Sequence, residues 1–391
     1  MKIGDPVYRG AERHLPVEVI GLISDYIAST HNLLTQRTLW ACCLVSKAWY
    51  SVFVGMLYHH PLLSSRNFDK FARTICPPVN SRKRRIGLGN FVNQLDMSQL
   101  AYESSKSITA RLLRRTRNSL TWFASPAVTF SIASLAPLSK CINLHLLDLS
   151  SDGYGIRLRL VLDTIGHLEH LAVLRLPRDS LNGRCDLGPN SRWPKNLSHL
   201  QITDWLFLGS QSWTTLIESW PKSLKTLKFE DCMQYADLQT LALCETRANY
   251  IRCLEIGLER KESWFPWTPV LSVFPQLKAI KFPAWTMRRQ AFVGTQGTLL
   301  REFLKKIERD NLLEVLTFTP QQPEPTHPNN LPIDVLHSFV DKFPRLRRLE
   351  IAKKDLDTNV ELPALERLGS VLELRATPGE RESAGLFFLD D

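Results

Sequence analysis

Histidine and cysteine are among the side chains of this 391-residue chain that could hold a metal or attack a substrate. His167 and His170 stand three positions apart in "HLEH", and two histidines at that spacing share one face of a helix. The pair does not match the H-E-x-x-H pattern of zinc proteases, and no third ligand lies near it in sequence. We therefore interpret it as the end of a surface helix, and we interpret His59 and His60 in the same way.

The eight cysteines are scattered along the chain and never form a C-x-x-C pair. Their spacing argues against a zinc module and against a disulfide framework, and it fits small apolar side chains in a reducing compartment. The stretch "GLGN" at Gly87–Asn90 is too short for a phosphate-binding loop and lacks the G-K-[ST] that would follow it. None of these patterns predicts a catalytic residue, a metal or a cofactor, so we expect a binding protein and not an enzyme.

The formal net charge of +10 is a basic bias, which attracts nucleic acid, acidic proteins or phosphate groups without choosing among them. Two clusters carry much of it, "SRKRR" at Ser81–Arg85 and "RLLRRTR" at Arg111–Arg117. The first could be a nuclear import signal, although a solvated connector explains it more simply. The N-terminus has no secretory apolar stretch, and no run of about 18 apolar residues occurs. We expect an intracellular protein, in the cytoplasm or the nucleus, with no membrane partner.

The pattern L-x-x-L-x-L, with Ile, Val, Phe or Met tolerated, recurs along most of the chain. Its six most regular copies have successive spacings of 27, 26, 27, 27 and 26 residues and begin at Leu144, Leu171, Leu197, Leu224, Ile251 and Leu277. Further copies are "VNQLDM" from Val92, "LEVLTF" from Leu313, "LRRLEI" from Leu346 and "GSVLEL" ending at Leu374, and we expect a degraded copy near Leu120–Phe123. A unit this short cannot bury its own apolar face, so the period predicts a stack of repeats around one continuous core.

Each repeat carries the alternation of a strand, and a helix-like run precedes many of the strands, as in "IDVLHSFVDKFP". This succession resembles the leucine-rich-repeat family over roughly Phe91–Leu374. The resemblance implies an α/β fold, in which a curved solenoid carries a parallel sheet on its concave side.

The segment "HLPVEVIGLISDYIAST", His14–Thr30, predicts a helix whose apolar residues cover more of its circumference than one core contact needs. At about 100° per residue they fill an arc of about 160°, whereas a stripe of about 100° suffices for an amphipathic surface helix. Pro16 stands where the first turn would begin, a position that proline tolerates well. By itself the segment leaves two interpretations open, a thoroughly buried helix and a helix that serves two contacts.

A second apolar cluster follows in "CLVSKAWYSVFVGMLY", with a break expected near Ser46. The two stretches in this order, over about Leu15–Leu57, resemble the F-box, a motif that docks onto the Skp-type adaptor of cullin-RING ubiquitin ligases. Leucine-rich repeats after an F-box are a familiar architecture of that family. The resemblance favours two contacts for the first helix, one with the module's own later helices and one with a partner. It implies that the following residues face the adaptor or set the helix start: Leu15, Pro16, Ile20, Ile23, Leu44, Val45 and Trp49.

The fifth position of each repeat should face solvent on the sheet, because it alternates with the core leucines. This row mixes three cations with three anions: Asp148, Arg175, Gln201, Lys228, Glu255, Lys281, Thr317 and Glu350. Two interpretations are open, a basic pocket for a phosphorylated or acidic partner and a mixed, solvated face. The candidate substrate-binding residues are Arg175, Lys228, Lys281 and Arg348.

We expect an F-box at residues 12–60, a linker or first capping segment at 61–90, a repeat solenoid at 91–376 and a tail or cap at 377–391. As the resemblance implies, the expected function is non-catalytic substrate recognition in an SCF-type (Skp–cullin–F-box) ubiquitin ligase. The F-box would bind the adaptor, and through it the cullin, while the repeats bind a protein substrate. One alternative is a scaffold that uses the repeats without a ligase. Another is a nucleic-acid binder, which the lack of interleaved aromatic and basic residues on one face disfavours.

Overall fold

The described chain begins with helices and continues into a parallel sheet flanked by further helices, which confirms the predicted α/β class. The structure is a computed structural model. It describes residues 15–28, 33–77, 87–100, 106–128, 130–151, 156–178, 187, 192–203, 210–230, 248–257, 273–284, 312–319, 331, 333–356, 362–377 and 379–389.

Three helices form the first part, here named the helical module: Val17–Ala28 (α1), Leu33–Cys43 (α2) and Lys47–His59 (α3). Their apolar faces enclose a small core built on the buried Ile20, Leu39 and Phe53. Ser46 separates α2 from α3, and its hydroxyl accepts a hydrogen bond from the backbone N–H of Trp49 at 3.3 Å. This bond satisfies a donor that the first turn of α3 leaves unpaired. The break expected near Ser46 is therefore confirmed.

The second part is an open sheet in which the described strands follow one another in chain order, each parallel to its neighbours. The eleven described strands are Gln94–Asp96 (β1), Trp122–Ala124 (β2), Leu146–Asp148 (β3), Val173–Arg175 (β4), His199–Thr203 (β5), Thr226–Glu230 (β6), Cys253–Gly257 (β7), Ala279–Pro283 (β8), Val315–Thr319 (β9), Arg348–Ala352 (β10) and Gly385–Leu389 (β11).

The repeat pattern explains both the register and the core of this sheet. Equivalent positions align from strand to strand, as where Leu174 lies between Leu147 and Leu200. Within "LAVLRL", Leu171, Leu174 and Leu176 are each fully buried, because alternate side chains of a strand point to the same face. The predicted repeat is confirmed, including the degraded copy, which forms β2.

Helices cover the face of the sheet that carries the leucines. They are Phe68–Ile75 (α4), Lys106–Thr116 (α5), Ile132–Leu138 (α6), Leu158–Ile165 (α7), Ser210–Ser219 (α8), Ile333–Lys342 (α9) and Leu362–Leu374 (α10). Their apolar faces and the strand leucines form one continuous buried cluster. Helix α4 lies in the segment expected to be a linker or first cap, and its Phe71 and Ile75 join this cluster.

The last predicted repeat strand, "GSVLEL" ending at Leu374, is wrong. This stretch is the end of helix α10, in which Leu368 and Leu372 are buried four positions apart while Leu374 is 83% exposed. Leucines three or four positions apart fit one face of a helix as well as they fit the repeat pattern, so spacing alone did not separate the two. The sheet instead ends with β11, inside the segment expected to be a tail or cap.

Candidate docking surface on the helical module

Helix α1 carries two adjacent apolar rows with different surroundings. Ile20 is 1% exposed and packs with Leu39 and Phe53, and Ile23 and Ile27 are partly buried against the same core. These three isoleucines follow one face of the helix, since residues three and four apart are neighbours there. This confirms the expectation that one side of the apolar arc packs on the module's own later helices.

The second row of α1 faces solvent. Leu15 lies just before the helix, and with Val19, Leu22 and Tyr26 it follows the spacing 4, 3, 4. Their exposed fractions are 48%, 39%, 71% and 81%. Apolar anchors at this spacing form the face that a helix lays into a partner's groove. We name these four residues the α1 stripe.

Further large apolar side chains are exposed at the end of α2 and in the turn that follows. Trp40, Leu44 and Val45 are 59%, 67% and 63% exposed. The turn is closed by backbone hydrogen bonds from Leu44 N–H to the Ala41 oxygen at 3.0 Å and from Val45 N–H to the Cys42 oxygen at 3.2 Å. The backbone of this turn is thus satisfied internally while its apolar side chains remain in water. Such groups mark interaction sites more often than scattered single residues do.

The seven residues expected at the adaptor interface divide between surface and core. Leu15, Pro16, Leu44 and Val45 are exposed. Ile20 is buried and Ile23 is partly buried in the module's core, and Trp49 packs there too, with its ring stacked on Phe53 at a centroid distance of 5.3 Å. As placed, Ile20 contacts its own module, and neighbouring helices cover it.

Val19, Leu22, Tyr26 and Trp40 are exposed apolar residues that our list of expected contacts omitted. The sequence did contain a signal for three of them. Val19, Leu22 and Tyr26 lie on the same wide arc as the isoleucines, one position away from the buried row. Only packing against α3 shows which half of that arc is covered.

The four candidate substrate-binding cations are all paired with carboxylates on the sheet. The Nη1 atom of Arg175 lies 2.7 Å from Oδ2 of Asp148, and the Nε atom of Arg348 lies 2.5 Å from Oε1 of Glu350. Lys228 and Lys281 share Glu255, at 3.7 Å and 3.4 Å, and Lys228 also reaches Glu230 at 3.5 Å. The structure therefore favours the mixed-charge face over a basic pocket at these positions.

A second chain of ion pairs crosses the repeats where β8, β9 and β10 begin. Glu314 accepts hydrogen bonds from Lys278 at 2.7 Å and from Arg347 at 2.9 Å, and Arg347 also pairs with Glu380. Burial favours the neutral form of Glu314, but the two bound cations outweigh it and hold the pKa of that carboxyl below its ordinary value.

The histidines considered as ligands have other neighbours. His167 is hydrogen-bonded through Nε2 to the Ser139 oxygen at 2.8 Å, and the ring of His170 stacks on His145 at 5.5 Å. Within the described residues, no group of three potential ligands is placed to hold a metal ion. In the same part of the chain, no helix has both the length and the apolar character needed to cross a membrane.

The described cysteines do not have the character of nucleophiles. Their thiols are free, and burial raises the pKa of each, in the case of Cys141 to about 12. Because the thiolate is the reactive form, a raised pKa lowers the reactivity of these side chains near neutral pH.

Comparison with known proteins identifies sequence relatives. No protein-family model matches the chain. It is 31% identical over 200 residues to F-box protein YDR306C of Saccharomyces cerevisiae, which covers 51% of this chain and 40% of that protein. It is 32% identical over 230 residues to protein pof5 of Schizosaccharomyces pombe, which covers 58% of this chain and 61% of that protein. The chain thus matches less than two thirds of either relative's own length.

Among solved structures, an internalin from Listeria monocytogenes aligns with 83% of this chain and 95% of its own, at 10% identity and a TM-score of 0.35. A likeness this low carries no argument, so the repeat fold rests on the strand order and register described above. The sequence resemblance is confirmed by a relative that is itself named as an F-box protein. The chain is similar in sequence to a protein named as an F-box protein and carries, after its helical module, a parallel sheet built from one strand per repeat.

Proposed function

We propose that the chain is a non-catalytic substrate-recognition subunit of an SCF-type ubiquitin ligase, working in the cytoplasm or the nucleus. The helical module would bind the Skp-type adaptor, and through it the cullin. The observation that carries this proposal is the α1 stripe, an exposed apolar row on a helix whose opposite row already fills the module's own core. The relationship to F-box proteins supports it.

The exposed side chains are large enough to give a stable complex. Fully burying one such aliphatic side chain contributes about 1.5–3 kcal/mol. Association costs about 4–15 kcal/mol in lost freedom. Two anchors would contribute about 3–6 kcal/mol, which reaches only the lower end of that cost, whereas the α1 stripe together with Trp40, Leu44 and Val45 supplies seven. We propose that these seven residues form the adaptor interface and that Ile20, Ile23 and Trp49 hold them in place.

The sheet would hold the protein that is to be ubiquitinated. Arg175, Lys228, Lys281 and Arg348 remain the proposed contacts, although each already has an anionic neighbour. An acidic substrate group would therefore have to compete with Glu255 for Lys228 and Lys281. This competition favours a substrate that brings both charges to the mixed face over one that brings phosphate alone.

Co-purification with a Skp-type adaptor and its cullin tests the proposal. We expect the wild-type chain to bind both, and a Leu22→Ala/Tyr26→Ala variant to lose the adaptor while staying folded. A folded variant that still binds as tightly as the wild type would contradict the proposed interface. Adaptor binding without cullin in the complex would support the alternative, a scaffold that works outside a ligase.

A further inference from the structure

A cationic cavity lies between α4, α5 and α6, in a part of the molecule that the proposed function does not use. Its volume is about 420 Å³. Apart from Cys76, Ala136 and Pro137, the residues that line it are all cations: Arg111, Arg114, Arg115, Arg117 and Lys140. No carboxylate from the described residues is among them. We name these five residues the cation cluster.

The cluster is assembled from separate elements. Arg111, Arg114 and Arg115 stand at positions i, i+3 and i+4 of α5 and so share one face of that helix. Arg117 follows in the turn after α5, and Lys140 comes from the turn after α6. Arg111 donates a hydrogen bond from Nη2 to the Cys76 oxygen at 2.9 Å, which ties α5 to the end of α4.

Structural roles do not account for the whole cluster. Arg114 and Arg115 lie in the last turn of α5, where cations favour the helix dipole. Lys140 likewise stands just after the end of α6, but the dipoles do not explain why cations from two helix ends line one cavity. Like charges four apart on a helix, as at Arg111 and Arg115, also repel each other. The contrast with the sheet is clear, because Arg175 and Lys228 have carboxylate partners there. Within the described residues, no ion pair joins a carboxylate to the cation cluster.

We propose that this cavity binds a small ligand with several clustered phosphate groups, either a free polyphosphate or the phosphorylated headgroup of a lipid. The guanidinium fork of arginine matches phosphate oxygens in pairs, and five converging cations exceed what a single phosphate would engage. The volume falls within the range of pockets for small ligands, about 300–1,000 Å³. Nucleic acid is less suited, because it requires an extended basic track with stacking aromatic rings, and no aromatic residue lines the cavity in the described part of the chain.

Titration calorimetry of the full chain with inorganic tripolyphosphate tests this proposal. We expect saturable 1:1 binding that weakens as salt is added, and at least a tenfold loss of affinity in an Arg114→Gln/Arg115→Gln variant. If the Arg114→Gln/Arg115→Gln variant folds poorly, an Arg117→Gln/Lys140→Gln variant, altered only in turns, replaces it and should show the same loss of affinity. The matched control is Arg345→Gln/Arg367→Gln, which removes two exposed cations far along the chain and should stay within twofold of wild type.

Two further arms distinguish the source of the phosphates. Binding to vesicles that contain phosphatidylinositol 4,5-bisphosphate, reversed by tripolyphosphate, would assign a lipid headgroup, while tripolyphosphate binding without vesicle binding would assign a free polyphosphate. The proposal is overturned if wild type shows no saturable binding at low salt, or if cluster and control variants lose affinity equally. A 20-nucleotide single strand that binds more tightly than tripolyphosphate, and that loses affinity in the cluster variants, would also overturn it.

Discussion

Leu22 provides the sharpest test of the two-row arrangement on α1. It is 71% exposed, so an adaptor that covers it would remove most of its surface from water. Full burial of such a side chain contributes about 1.5–3 kcal/mol, and burial of the exposed share contributes about 1–2 kcal/mol. Leu22→Ala should therefore weaken adaptor binding by about 5–30-fold in Kd. It should leave the helix intact, because alanine is the best helix former.

Ile20, two positions earlier, should respond in the opposite way. It is 1% exposed within the module's core, and truncating a buried isoleucine to alanine costs about 2–5 kcal/mol of folding free energy. Ile20→Ala should thus lose amide hydrogen-exchange protection throughout α1 and α3. Any loss of adaptor affinity should accompany this loss of protection.

Calorimetric Kd values and hydrogen exchange on the same samples separate the two effects. Leu374→Ala is the control, since Leu374 is 83% exposed on α10, outside the module. It should change neither quantity. The reasoning is refuted if Leu22→Ala binds the adaptor within twofold of wild type, or if Ile20→Ala keeps wild-type protection in α1 and α3.

Three further predictions concern the repeats. Arg375 donates from Nη1 to the backbone oxygens of Val340, Phe343 and Leu346 at 2.9, 2.9 and 3.2 Å. Arg375→Gln should therefore lower the free energy of unfolding by about 1–3 kcal/mol in urea titrations, and Arg375→Lys should restore only part of that stability. Because the pKa of Glu314 is lowered in the folded state, its ion pairs stabilise the fold above its ordinary pKa of 4.5, and this stabilisation is lost as the pH falls below that value. The difference in unfolding free energy between wild type and Glu314→Gln should therefore be full at pH 7 and narrow below about pH 4.5. A difference that stays constant with pH would contradict this assignment. A Cβ at Gly166 would collide with the Arg192 backbone oxygen, so Gly166→Ala should lower the melting temperature and cost about 1–3 kcal/mol, whereas Gly21→Ala, in open space, should not.

The sheet could be predicted from the sequence because its repeat is visible directly as a regular spacing of leucines along the chain. A regular spacing of 26 or 27 residues places equivalent leucines side by side, so strand existence, order and burial follow from the period. The same reasoning failed at Leu374, where leucines three and four apart fit a helix as well.

The candidate docking surface was only partly predictable, because it depends on which half of a wide apolar arc is covered. The arc of α1 includes both Ile20 and Leu22, and composition does not distinguish them. The contact with Phe53 on α3 buries the first and leaves the second exposed. The expected adaptor residues therefore include both buried and exposed side chains.

The charge pairing on the sheet required the register between strands. Counting cations and anions at the fifth position of each repeat showed a row of mixed charge, but it did not show which cation pairs with which carboxylate. In the structure that position aligns Lys228, Glu255 and Lys281 on neighbouring strands, so one carboxylate serves two lysines. Local neighbours, more than net charge, decide which cations remain for a ligand.

The central claim is that the helical module uses the α1 stripe to hold a Skp-type adaptor. Hydrogen exchange of the full chain, measured with and without the purified adaptor, tests it most directly. The account predicts a stable complex in which new protection appears across residues 15–28 and at the turn containing Leu44 and Val45, while the sheet is unchanged. A chain that forms no complex, or a complex whose new protection lies on the sheet and spares α1, would contradict it.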